Sequence, residues 1–197
     1  MTAVRRTTRP DEPAPLAGPA PSPGAPIAAA DFARLFAAEA PRVWRALRRL
    51  GVRDADLEDV CQEVFVVVHE RWAEFRGDSS TRTWIYGIAL RKALAHRRSA
   101  HARRATSLEP GDEPAVAPDQ QRHLERAHAR QVLQAALDKL DDGQREVFVL
   151  FELEQLAMRE VAAALGLPLQ TCYSRLYAAR LELGAELQRL AAKGGWP

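Results

Sequence analysis

Apolar residues recur at three- and four-residue spacings along most of the chain, the mark of helices that bury one face. Phe32, Leu35, Phe36, Val43, Leu47 and Leu50 form the first such run, and Gly51 closes it as a carboxy-terminal cap would. A second run opens at Asp54 to Asp56, where acids suit a helix amino terminus, and sets Leu57, Val60, Cys61, Val64, Phe65, Val68, Trp72 and Phe75 along one face. Phe65 to Val68 alone would suit a strand, but the helical rhythm on both sides is longer and decides the matter. A third helix is predicted from about Thr81 through Arg98, after the loop Gly77 to Ser80. Leu124, His128, Leu133, Leu137 and Leu140 predict a further helix, stopped by Asp141, Asp142 and Gly143, and Val147, Phe148, Leu150 and Phe151 begin another apolar run. No alternation of strand type reaches a useful length. The predicted fold class is all-α: two small helical domains joined by a flexible linker, the second containing a helix-turn-helix.

Composition supplies the boundaries. Residues 105–123 hold Pro110, Gly111, Pro114 and Pro118 and open without apolar periodicity, which separates a domain over 31–104 from one over 124–190. Residues 1–30 carry seven prolines among alanines and glycines and read as a disordered tail, with 191–197 as a second, short tail. The 197 residues suffice for two small domains.

The net charge of +2 conceals a strong polarity. Residues 31–75 hold 7 basic and 9 acidic side chains, whereas 76–104 hold 8 basic ones against Asp78 alone, a block of +7. Residues 131–160 hold 7 acids and 3 bases and 161–197 hold 2 acids and 4 bases, so each half runs from acidic to basic. A basic block of that density points to phosphates. No apolar stretch approaches the ~20 residues that span a bilayer, and the basic amino terminus lacks the apolar segment of a signal peptide. No membrane insertion and a cytoplasmic location are expected. Cys61 and Cys172 stand far apart on apolar faces and read as small core residues. His69, His96, His101, His123 and His128 show no ligand spacing, so no metal and no cofactor are expected.

The most specific local signal is REVAAALGLPLQTCYSRLYAARLEL, residues 159–183. A short helix with Val161, Ala162 and Leu165 on one side meets Gly166, where glycine alone takes a left-handed conformation without penalty, and Pro168 suits the first turn of a new helix. In that helix Leu169, Cys172, Leu176, Ala179 and Leu183 form one apolar stripe. This is a helix-turn-helix whose second helix suits the major groove, although a plain αα-hairpin with a Gly and Pro corner has the same periodicity. The wording goes further. EVAAALGLP followed by TCYSRLYAAR closely resembles the DNA-binding end of bacterial RNA polymerase sigma factors, sigma-70 family, of the extracytoplasmic-function (ECF) group. DADLEDVCQEVFVVVHERWAEFR and TRTWIYGIALRKAL resemble two adjoining blocks of that family, FARLFAAEAPRVWRALRRLG its first helix, and LDKLDDGQREVFVLFELEQLAMREVA the helices before its helix-turn-helix. The resemblance covers residues 31–104 and 124–190, in the family's order.

The resemblance implies a subunit without catalytic residues that binds core RNA polymerase, through the β′ coiled coil and the β flap, and acts as a monomer within the holoenzyme. It also implies promoter DNA as a partner and brings in an anti-sigma factor as a further candidate. On this pattern Asp56, Glu58, Asp59, Gln62 and Glu63 would clamp the β′ coiled coil, opposite charges steering the encounter, although the same acids could merely solvate their helix. Asp78, Ser79, Ser80, Thr81, Arg82 and Trp84 would open and read the −10 element, where unstacking a base costs a few kcal/mol that an aromatic ring can offset. Trp84 and Tyr86 are the available rings, Trp84 having a core anchor as its alternative role. Arg91, Lys92, Arg97 and Arg98, with Arg103 and Arg104, would form a basic track for phosphates.

Gln170, Thr171, Tyr173, Ser174, Arg175, Tyr177 and Arg180 would face the −35 element. Tyr173 and Ala178 stand where many members carry a basic residue. Since an arginine–guanine pair contributes about 1–3 kcal/mol of discrimination, an atypical or weaker upstream element is expected. Ala157 stands where a serine often caps the first helix of the motif, a loss of about 1 kcal/mol that predicts fraying. Two other functions remain in view: a conventional helix-turn-helix regulator, which needs a dimer surface, and a helical interaction module or decoy for an anti-sigma factor. An enzyme is not expected, because no Ser/His/Asp, phosphate-loop or metal constellation occurs.

Overall fold

A computed structural model describes residues 24–106 and 121–192, with side chains over 24–100, 128–190 and at 192. The expected proline-rich tail, most of the expected linker, the carboxy-terminal tail and the Arg103 and Arg104 side chains lie outside this range. Among the described residues the structure is all-helical: α1 (Ala29–Arg49), α2 (Leu57–Arg71), α3 (Thr81–Thr106), α4 (Gln121–Leu137), α5 (Asp142–Phe148), α6 (Met158–Leu165) and α7 (Leu169–Ala192).

Local chemistry explains most boundaries. Leu50 and Gly51 donate back to Ala46 O and Arg48 O, and Gly51 turns the chain at φ +91°. Single 3₁₀ turns flank α2, Asp54–Asp56 before it and Trp72–Glu74 after it. The Ser80 hydroxyl accepts the Thr83 N–H at 3.1 Å and starts α3, which runs through Thr106, past the Arg98 limit read from the sequence. Asp141 and Gln144 satisfy each other's backbone N–H at 2.8 and 3.1 Å, so Asp141 opens α5 and Asp142 and Gly143 lie within it. The apolar run after α5 becomes one π turn, Val149–Leu153, followed by Gln155 in the left-handed region at φ +60°. Gly166 makes the corner of the helix-turn-helix at φ +65°.

Helices α1 to α3 pack as one bundle and α4 to α7 as another, and the two bundles share one apolar cluster. α6 lies on α3, and the π turn lies on α1. Polar bonds fix this contact. Glu154, just after the π turn, accepts from Arg49 Nη1 at 2.8 Å through one oxygen and from the Tyr86 hydroxyl at 2.5 Å through the other. Thr83 Oγ1 donates to Glu160 at 2.6 Å, and Arg97 pairs with Asp142 at 2.5 Å. The predicted pair of helical domains is thus present, and the domains face each other through buried charge and hydroxyl groups.

Candidate nucleic-acid interface

In the helix-turn-helix, Val161 and Ala162 of α6 and Cys172, Leu176, Ala179 and Leu183 of α7 are buried, and this leaves the outer face of α7 open. Leu169, expected in the buried stripe, is 39% exposed, because the helix begins there and its first turn projects past α6. Gln170, Tyr173, Ser174 and Tyr177 are exposed, and Thr171 is half-buried. Arg175 and Arg180, the arginines of the first half of α7, turn elsewhere. Arg180 holds Glu152 through Nε at 2.7 Å and also through Nη2. The Arg175 guanidinium lies against Gly143 of α5, so close that a side chain there would meet its Nη1 at 2.6 Å. The predicted fraying at Ala157 has a different outcome: Glu160 accepts the Ala157 N–H at 3.0 Å while its other oxygen takes the Thr83 hydroxyl.

Among the residues expected at −10, Asp78 is exposed and Ser79 and Thr81 are half-buried, while Ser80 serves as the cap of α3. Arg82 turns back to Glu39 of α1 at 3.6 Å, and burial pushes the Glu39 carboxyl above its usual range against the opposing pull of Arg82. Trp84 packs edge-on against Trp72 at 5.9 Å and against Phe75 at 5.2 Å, so the core-anchor alternative describes its ring. Tyr86 is not an available ring at all. It is 1% exposed, and burial together with the Glu154 charge raises its hydroxyl well above the ordinary range, so it stays a donor. Of the basic track, Lys92 pairs with Glu63 at 2.9 Å and Arg97 with Asp142, whereas Arg91 and Arg98 stand exposed with no ion pair among the described residues.

On α2, Glu58, Asp59 and Gln62 are exposed, Asp56 accepts from Arg53 at 2.7 Å, and Glu63 reaches Lys92. Beside these acids lies an open cleft of about 410 Å³ between α1 and α2, with Phe32, Phe36, Phe65 and Val66 as its walls and Gln62, His69 and Glu70 at its rim. The periodicity read Phe36 as core, yet it is exposed, as is Val66 at 54%. The missed signal was Val66, which falls off the apolar stripe of α2 onto the acidic face. Cys61 and Cys172 are buried, and no group of His, Cys, Asp and Glu among the described residues suits a metal ion. No described helix is long and apolar enough to cross a membrane.

Comparison with known proteins follows this division. Residues 35–103 match the sigma-70 region 2 family and residues 130–183 match sigma-70 region 4. The RNA polymerase sigma factor CnrH of Cupriavidus metallidurans is 32% identical over 172 residues, covering 79% of this chain and 86% of the relative. The ECF RNA polymerase sigma-E factor of Escherichia coli is 29% identical over 148 residues, covering 71% and 78%. A solved structure of CnrH in complex with the cytosolic domain of CnrY aligns with a TM-score of 0.59 at 28% identity over 81% of this chain and 89% of that one. The fold is also that of the sigma factor RpoE in complex with the anti-sigma factor NepR from Bartonella quintana, with a TM-score of 0.68 at 22% identity over 80% and 97%. The chain belongs to the extracytoplasmic-function group of the sigma-70 family, and is an RNA polymerase sigma factor.

Proposed function

We propose that this sigma factor binds core RNA polymerase through α2 and directs promoter-specific initiation, the unit over 31–104 working at −10, the unit over 124–190 at −35, and 105–123 joining them. One observation carries the reading. A single chain presents an acidic, partly apolar face on α2 and, in the other bundle, a helix-turn-helix whose second helix leaves its outer face uncovered. Asp56, Glu58, Asp59, Gln62 and Glu63 would steer the β′ coiled coil, and Phe36 and Val66 add apolar area that charge alone does not supply. Arg91 and Arg98 are the phosphate contacts that internal ion pairs leave over; Arg82, Lys92 and Arg97 would join them once their partners separate. Asp78 to Thr81 and the α3 entry at Arg82 would read the −10 element, with Trp84 anchoring that entry to the core, and the first turns of α7 face −35. The chemistry belongs to the polymerase, whose location makes this chain cytoplasmic. The solved complex of CnrH with the cytosolic domain of CnrY supports a protein partner for this chain, which we read as an anti-sigma factor.

Run-off transcription tests the reading. The full chain is added to sigma-free bacterial core polymerase on a library of genomic promoter fragments, and transcripts with fixed start sites are expected. Core binding without any start would favour the decoy; no core binding would favour a conventional helix-turn-helix regulator.

A further inference from the structure

The outer face of α7 is unusual for a surface meant to meet phosphates and guanines, because Arg175 and Arg180 are engaged with neighbouring residues and its large exposed side chains are a leucine and two tyrosine rings. Leu169, Tyr173 and Tyr177 follow one another at four-residue spacing along the first three turns, all exposed, Tyr177 by 67%. Gln170 and Ser174 stand beside this row and are exposed as well. Arg180 is held by Glu152 through two nitrogens, and Arg175 is folded against Gly143. No other basic residue falls between Leu169 and Leu181.

Each base pair offers a distinct pattern in the major groove. Guanine asks for arginine or lysine, adenine for the paired donor and acceptor of an amide, and thymine presents a methyl group that only apolar surface rewards. Gln170 is the amide, and the Leu169, Tyr173 and Tyr177 row is the apolar surface. Both select the same base pair. We propose that the recognition helix reads an A·T-rich upstream element through thymine methyl groups and an adenine edge, with no guanine contact at its centre. This inference rests on the sigma-factor reading and names the DNA that its −35 surface takes. Leu181, also exposed, lies ~18 Å along the helix axis from Leu169 at 1.5 Å per residue, a turn beyond Tyr177 and outside the stretch that reaches base edges. Were the whole row a dock for an apolar partner helix, Leu181 would belong to it equally.

The test selects upstream elements from a randomised promoter library, using the full chain in complex with core polymerase and scoring transcripts with fixed starts. An element rich in T and A is expected. Replacing each thymine by uracil then removes only the methyl group, and open-complex formation should weaken by about three- to fourfold for each contacted methyl. Tyr173→Ala and Tyr177→Ala should abolish the difference between thymine and uracil at one position each, Tyr173→Arg should bring guanine into the selected element, and Leu181→Ala should leave the thymine preference as it was. An element with guanine at its centre, or equal use of uracil and thymine, overturns the inference while the sigma reading stands. Loss of transcription in Leu181→Ala equal to that in Tyr177→Ala, with uracil still tolerated, overturns it in favour of a protein dock. Failure to start at any sequence overturns both.

Discussion

Glu146 sits in α5 only 8% exposed, near Asp142 and Arg175, and burial with the Asp142 charge pushes its carboxyl up to about 7. A carboxyl that is harder to ionise folded than unfolded opposes folding more as pH rises from 4.5 to about 7, and the full penalty is present above that window. Glu146→Gln removes the titration. The variant should therefore gain stability at pH 8 relative to pH 5 by an amount on the order of 2 kcal/mol, read from urea midpoints at the two values. An advantage that is the same at both would contradict the assignment. Two glycines invite a second comparison at this scale. Gly166 has left-handed backbone and open space around it, so Gly166→Ala should cost only the conformational term, about 1 kcal/mol. Gly51 has the same backbone problem at φ +91° and, in addition, the Arg145 guanidinium occupies the place where a side chain would begin. Arg145 cannot swing away, since it holds Leu137 O at 2.6 and 2.9 Å and Asp138 at 3.0 Å. Gly51→Ala should cost at least twice as much as Gly166→Ala in thermal unfolding. The sequence marked both glycines as caps, but nothing in it could mark Gly51 as the floor of an arginine site supplied by a residue far along the chain.

At the scale of the helix, periodicity found six of the seven helices among the described residues, left the stretch of α5 as an apolar run behind a supposed stop at Asp141 to Gly143, and missed what the faces meet. The stripe of α2 was legible because Leu57, Val60, Val64 and Val68 repeat at helical spacing and all are buried. Phe36 was not, since a phenylalanine in register with Phe32 and Leu35 looks the same whether or not a neighbour covers it. That question is decided by the crossing of α1 and α2, which leaves the cleft at Phe36 and Val66 open. The cleft lies next to Gln62 and so adjoins the surface proposed for core polymerase. Val66→Asp would place a charge in its wall while disturbing little of the fold, because half of the residue already faces water. Core affinity should fall by about tenfold or more, the ordinary loss for a central apolar contact, with helix content unchanged by circular dichroism. Unchanged affinity would remove the cleft from the docking surface and leave the acids alone on it.

The whole molecule adds a constraint that neither bundle shows by itself. Promoter elements near −10 and −35 lie about 25 base pairs apart, roughly 85 Å of B-form DNA at 3.4 Å per pair. Here α6 lies on α3 and Thr83 bonds Glu160, so the helix-turn-helix packs on the helix that carries the −10 residues. On the proposed roles the two readers would not reach their elements in this arrangement, and initiation would require the bundles to part. Fifteen residue steps separate Thr106 from Gln121, a covalent length of at most about 50 Å, which bounds how far those two helix ends can separate. The polar seam resists parting alongside the shared apolar cluster, and Glu154 is its centre, because it accepts from both Arg49 and the buried Tyr86 hydroxyl. Glu154→Ala takes the partner from both donors, and leaving the buried Tyr86 hydroxyl unpaired costs about 1–3 kcal/mol, while the half-buried Arg49 loses its ion pair. Opening to water satisfies them again without unfolding either bundle. The variant should show a larger radius of gyration by solution scattering with helix content retained, and should bind core polymerase more tightly, because less of the binding free energy is spent on separation. A compact variant with unchanged core affinity would mean that the apolar contact between α3 and α6, and not the Glu154 seam, sets the equilibrium.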